Sequence, residues 1–237
     1  MNRIKYIFIL TTLILTISCG QNKIQNEKSE TKDSNIISCD SFPTVKNLQE
    51  NQESENKTII KFEEFTITID KFGVYDEENK LSQVQSDTVY ISADMGETIE
   101  NHKIKIETNV LENLNIEQCY ETSLTIMNEG PHRDLTEWKH FTSDWKTLKQ
   151  ENGKFLCLSY SEKETEKFPE ISIEEVKAEV KVECGEKWAK HIENVTSVTE
   201  YPCGVGISRY FLRITGKLKT NGTKISKLII IESLMGC

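Results

Sequence analysis

The sequence has no apolar run long enough to cross a membrane. A spanning helix needs about 20 apolar residues, and the longest stretch, Tyr6 to Ile17, supplies about 12. There is no CxxC pair and no Cys/His spacing of the kind zinc sites use, so the cysteines are not expected to hold metal. The HExxH zinc pair and the GxxxxGK[ST] phosphate loop are missing too. "GVGISR" is not a GxSxG nucleophile elbow, because its serine is out of place relative to the glycines. Histidine is scarce, with only His102, His132, His140 and His191. Positive charge is in deficit, 29 Lys and Arg against 38 Asp and Glu. That excess argues against nucleic-acid binding, which needs clustered cations along the phosphate backbone, and against docking on anionic headgroups through a basic patch. No internal repeat and no long linker interrupt residues 58–237. These absences leave no catalytic residue, no metal ligand and no cofactor to expect.

What is present begins at the N-terminus. Arg3 and Lys5 give a positive start, the short apolar run follows, and Ser18, Cys19 and Gly20 end it before the polar Gln21, Asn22 and Lys23. That order is the layout of a signal peptide. The stretch "LTISCG" resembles a bacterial lipoprotein lipobox, with Thr16 standing three before the cysteine where Leu is usual. The resemblance covers only the leader and Cys19. It implies that residues 1–18 are removed, that Cys19 is acylated on sulfur and becomes the first mature residue, and that the chain meets the lipid bilayer through it. An ordinary secretory leader is the alternative, and either way the mature chain is exported. Gly20 at the second mature position resembles lipoproteins sent on to an outer membrane, facing the periplasm. Without Arg3 and Lys5, the 29 basic side chains fall to 27 and the net charge is about −11.

With Cys19 assigned to lipid, Cys39, Cys119, Cys157, Cys184, Cys203 and Cys237 remain. An even number of cysteines in an exported chain leads to the expectation of three disulfides, whose pairing the sequence does not specify. Residues 19–57 are rich in Asn, Gln, Glu, Lys and Ser and poor in apolar side chains. Such a segment buries too little surface to offset the entropy of ordering it, so it is expected to be a tether. The folded part is expected over 58–237, roughly 180 residues, which suits a single domain.

Alternating apolar residues in "FTITI", "TVYISA", "KIKIE" and "YETSLTI" predict strands, and the apolar run "KFLCLSY" predicts another. Asn221-Gly222 is a strong hairpin signal; a two-residue turn there sets Leu218 against Ile225, Ile214 against Ile229 and Leu212 against Ile231. Three segments read as helical. Leu135, Trp138, Phe141, Trp145 and Leu148 form one stripe at helical spacing; the rival reading uses Asn152-Gly153 as a second hairpin turn. "SIEEVKAEVKVECG" opens on a Ser172/Glu175 capping box, and "GEKWAKHIENV" continues as a short helix. The expected fold is α+β: a mainly antiparallel sheet with a C-terminal Asn-Gly hairpin and about three helices packed on it.

Two clusters are candidate binding residues. In "NEGPHRDLTEWKH", His132, Arg133 and Asp134 follow a Gly-Pro turn. A His–Asp pair is able to move protons, and Arg is able to hold an anion; the plainer reading makes Asp134 a helix cap and the others exposed polar residues. On the hairpin, Arg209, Phe211 and Arg213 share a face, where two guanidinium groups around a ring would receive a carboxylate or stack on a sugar or peptide. The plainer reading has their stems lying on apolar surface and their heads paired with glutamates such as Glu232. The function expected from all this is a membrane-anchored, non-enzymatic binding or envelope-associated module with an envelope protein, glycan or peptide partner. An immunity-type lipoprotein and an envelope hydrolase centred on His132 and Asp134 are the alternatives.

Overall fold

The computed structural model of the chain describes residues 57–75, 84–94 and 96–235. These all belong to one compact unit, Lys46–Cys237. The expected leader, Cys19, the tether, Cys39 and Cys237 lie outside the described residues. Strands take 46% of the described residues and helices 12%, so the α+β expectation gives way to a β-rich fold of two sheets, one curled into a half-barrel, with three small helices.

The first sheet has β1 (Lys57–Lys61), β2 (Thr66–Asp70), β4 (Lys103–Glu107), β10 (Lys154–Leu156) and β9 (Lys149–Glu151) in that order, every pair antiparallel. The second runs β3 (Thr88–Ser92), β12 (Lys224–Glu232), β11 (Cys203–Leu218), β5 (Leu111–Ile126) and β6 (Arg133–Leu135). Only β3 lies parallel to its neighbour there. Two short strands, β7 (Phe141–Thr142) and β8 (Lys146–Thr147), also pair with β5. The helices are α1 (Glu162–Thr165), α2 (Ile173–Glu183) and α3 (Glu186–His191).

Period-two patterning decides which side chains go inward. Ile67 and Ile69 of β2, Ile104 of β4, Leu212 and Ile214 of β11, and Ile229 and Ile231 of β12 meet in one core supplied by both sheets. The far end of β5 has its own core, in which Leu124, Ile126, Leu135 and Cys203 are covered by Val176 and Val180 of α2, by Trp188 of α3 and by Ile192. Strand β5 is therefore buried continuously from Gln118 to Ile126.

The helix expected over the tryptophan-bearing segment does not form. Asn152 and Gly153 both adopt positive φ (50° and 76°), the geometry of a two-residue hairpin turn, and they join β9 to β10 with Glu151 opposite Lys154. Residues that a helix would align on one stripe are divided instead: Leu135 and Trp138 pack in the second core, Phe141 and Leu148 in the first. The expected "KFLCLSY" strand is confined to Lys154–Leu156. Helix α2 forms with the Ser172/Glu175 capping box in place.

The C-terminal hairpin forms with a shifted register. Gly222 alone takes positive φ, its N–H bonds the Leu218 carbonyl, and the Leu218 N–H bonds the Thr223 carbonyl. This longer loop sets Leu212 against Ile229 and Tyr210 against Ile231, a slip of two residues from the expected pairing. Because side chains alternate with period two, an even slip keeps every residue on its expected face.

Candidate functional site

A register shift between Ile207 and Arg209 bulges β11 against β5. Bulges re-aim side chains. Here Ser208 turns inward to share a 2.7 Å hydrogen bond with Ser123, and Arg209 arrives opposite Glu121. The Arg209 side chain is 18% exposed and Glu121 only 7%. Arg209 Nη1 donates to Glu121 Oε1 at 3.2 Å, while Nη2 reaches Glu232 Oε1 at 3.5 Å and Glu137 Oε1. Burial works against the charge on Arg209, but its carboxylate neighbours, Glu137 first, outweigh it and raise the pKa. Two residues on, Arg213 bonds Glu117 Oε2 at 2.9 Å and lies 4.2 Å from the centroid of the Trp145 ring. Both arginines are thus satisfied within the chain, and neither is free to receive a ligand carboxylate. Phe211 lies half-buried between them.

The other cluster lies at the sheet edge. Arg133 of β6 is exposed, with its guanidinium 5.6 Å from the centroid of the Trp188 ring, and it has no ion-pair partner among the described residues. Asp134 stands opposite Thr125 of β5. Asp134 Oδ1, Thr125 Oγ1 and His132 Nδ1 are all buried without a hydrogen-bond partner, and no described hydrogen bond joins His132 to Asp134. Buried polar atoms are rarely left so; Asp134 and Thr125 are opposite one another in the β5–β6 ladder, and His132 just precedes β6.

Beside them a cleft of about 330 Å³ opens between the Arg133–Trp138 segment and the C-terminal half of α2, where Glu179, Glu183 and Cys184 line it. Glu179 and Glu183 stand four apart on the helix. Like charges at that spacing repel across one turn, and neither has an ion-pair partner among the described residues. Trp138 and Leu135 contribute apolar surface to the cleft, and Glu137 adds a further carboxylate. Lys139 does not neutralise the cleft glutamates, because its ammonium bonds Glu175 at 2.6 Å. A larger cavity of about 680 Å³ adjoins Phe62, Thr66 and Lys227. Of its two lining cations, Lys227 is already committed, since its Nζ holds Asp87 at 2.7 Å and Glu64 at 3.2 Å, and Lys61 is exposed.

Comparison with protein-family models, curated proteins and solved structures finds no match to this chain.

The expected disulfide cysteines are dispersed. Cys119, Cys157, Cys184 and Cys203 form no disulfide among the described residues. Cys157 packs in the core between the sheets and Cys203 in the helix-covered core, with Cys184 at its border. Burial pushes the Cys119 and Cys157 thiols up to about 12 and that of Cys203 up to about 11. Thiolate is the reactive form, so these three are inert packing residues near neutral pH. Among the described residues no group of His, Cys, Asp and Glu is arranged to hold a metal ion.

The structure therefore separates the two candidate clusters. Arg209, Phe211 and Arg213 build the sheet, whereas Arg133 and Asp134 line a cleft. Glu179 and Glu183, the helix-borne carboxylates of that cleft, escape a reading of the sequence. Their i,i+4 repetition in "EVKVE" is the one local signal, and it marks a like-charged helix face without saying what lies opposite.

Proposed function

We propose that the chain is an exported lipoprotein, held at a bilayer through acylated Cys19, whose folded domain is a non-enzymatic binding module for a cationic segment of an envelope protein or peptide. The leader and "LTISCG" support the anchor. A triacylated N-terminus carries more than one chain, which is the condition for stable attachment. The cleft supports the binding role. Asp134, Glu137, Glu179 and Glu183 line it against a single cation, Arg133, and Glu179 and Glu183 have no ion-pair partner among the described residues; this is the observation that carries the reading. A lysine or arginine side chain entering there relieves their mutual repulsion, and Trp138 offers its stem an apolar surface. The net negative charge of the whole chain favours encounter with such a partner.

Two alternatives fit less well. A hydrolase centred on His132 and Asp134 needs those side chains joined, and they are not. An anion-binding face on Arg209 and Arg213 needs free guanidinium groups, and both are paired.

The test is calorimetric titration of the full chain in detergent with a lysine- and arginine-rich peptide. Binding is expected to weaken about fivefold or more from 50 to 300 mM salt, and by a similar factor in the Glu179→Gln/Glu183→Gln variant. Affinity that ignores both changes, or no binding to basic peptides at all, contradicts the cleft reading.

A further inference from the structure

The segment that walls the cleft is held to the sheet by β6 and β7 pairing with β5 and by the Glu137–Arg209 ion pair, and between these lies one titratable contact. His140 stands two residues after Trp138 and immediately precedes β7, and its Nε2 lies 3.4 Å from Glu121 Oε2. The other oxygen of that carboxylate is taken by Arg209. Contact with His140 is long for a charge-assisted hydrogen bond, which closes to about 2.7–2.9 Å. Glu121 is 93% withdrawn from solvent, so water screens it poorly. Around it, Arg209 brings one positive charge against three carboxylates, those of Glu121, Glu137 and Glu232. The local balance is negative, and His140 is the one neighbour able to change it near neutral pH, because histidine switches charge between about pH 5 and 8. The other cations nearby are occupied: Lys139 is bonded to Glu175, and Lys167 lies 5.5 Å from the Phe141 ring centroid.

We propose that His140 and Glu121 form a pH-operated latch on the wall of the cleft, tightened when His140 carries a proton. Protonation turns a loose polar contact into an ion pair with a buried carboxylate. Acidification then favours latching, and a rise in pH releases it. Thr142 stands opposite Glu121 and Phe141 opposite Thr122 in the β5–β7 ladder, so the latch also grips the start of β7. Its meaning for ligand binding rests on the cleft reading above, but the latch itself is measurable without any ligand.

The experiment is hydrogen–deuterium exchange of the full chain at pH 5.5 and pH 7.5, corrected for intrinsic exchange rates and read on peptides spanning 138–142. Wild-type exchange is expected to be about two- to fivefold slower at pH 5.5. His140→Gln should remove the difference, and His140→Lys, with a fixed charge, should keep the segment protected at both values. His132→Gln, just before β6 and with no described contact to Glu121, should leave the difference intact. No pH dependence in the wild type, or one that survives His140→Gln, overturns the latch and leaves the peptide titration to judge the cleft independently.

Discussion

At the scale of the residue, Arg209 shows how a side chain that reads as a binding group becomes a structural one. Its partner Glu121 is 88 positions away in sequence, and only the bulge at Ser208 brings the two together. No spacing within "SRYFLR" announces that contact, although the sequence does place Arg209, Phe211 and Arg213 on one face and does single out Glu232. Removing one member of a buried ion pair strands the other. Arg209→Ala is expected to cost about 3 kcal/mol in urea unfolding, whereas Arg209→Met with Glu121→Leu should recover a large part of that loss. A double variant no more stable than Arg209→Ala would show that the pair does more than neutralise charge. The same logic applies to Lys227. Its place opposite Ile214 follows from a hairpin register that local sequence does not specify.

At the scale of the element, the sequence was legible where a cap or a turn residue acts alone. The Ser172/Glu175 box starts α2 as expected, and the five predicted strand segments all contribute strands. It misled over 134–152, because residues spaced for a helical stripe are equally available to short strands that send them to different cores. There the positive φ of Asn152 and Gly153 outweighs the periodicity. Tertiary pairing with β5, invisible locally, supplies the remaining hydrogen bonds. The cap makes a pH prediction. The side-chain bond from Lys139, with the bonds from Ser172, holds the Glu175 carboxyl down at about 2. A carboxyl held below its unfolded-chain value of about 4.3 contributes stability that is fully present above that value and is lost as pH falls toward 2. Wild-type protein should therefore lose more Tm between pH 5 and 2.5 than Glu175→Gln does, as read by circular dichroism. Equal losses would mean that Glu175 is not tied down in solution.

At the scale of the whole molecule, the sequence carries an acidic balance, whereas the leader and the polar tether expected from it lie outside the described residues. The two-sheet architecture was not legible, because it depends on pairings such as β11 with β5 and β12 with β3 that span most of the folded region. The cleft was half legible: Arg133 and Asp134 stood out, whereas Glu179 and Glu183 gain significance only when α2 is packed across β5. The account rests on a domain carried at a bilayer by Cys19, with the cleft as its contact surface. Mass spectrometry of the mature N-terminal peptide from the purified membrane fraction tests that most directly. The account predicts a chain that begins at Cys19 and carries acyl chains on that residue. A mature chain that begins elsewhere, or an unmodified Cys19 in a protein recovered free of membrane, would contradict it.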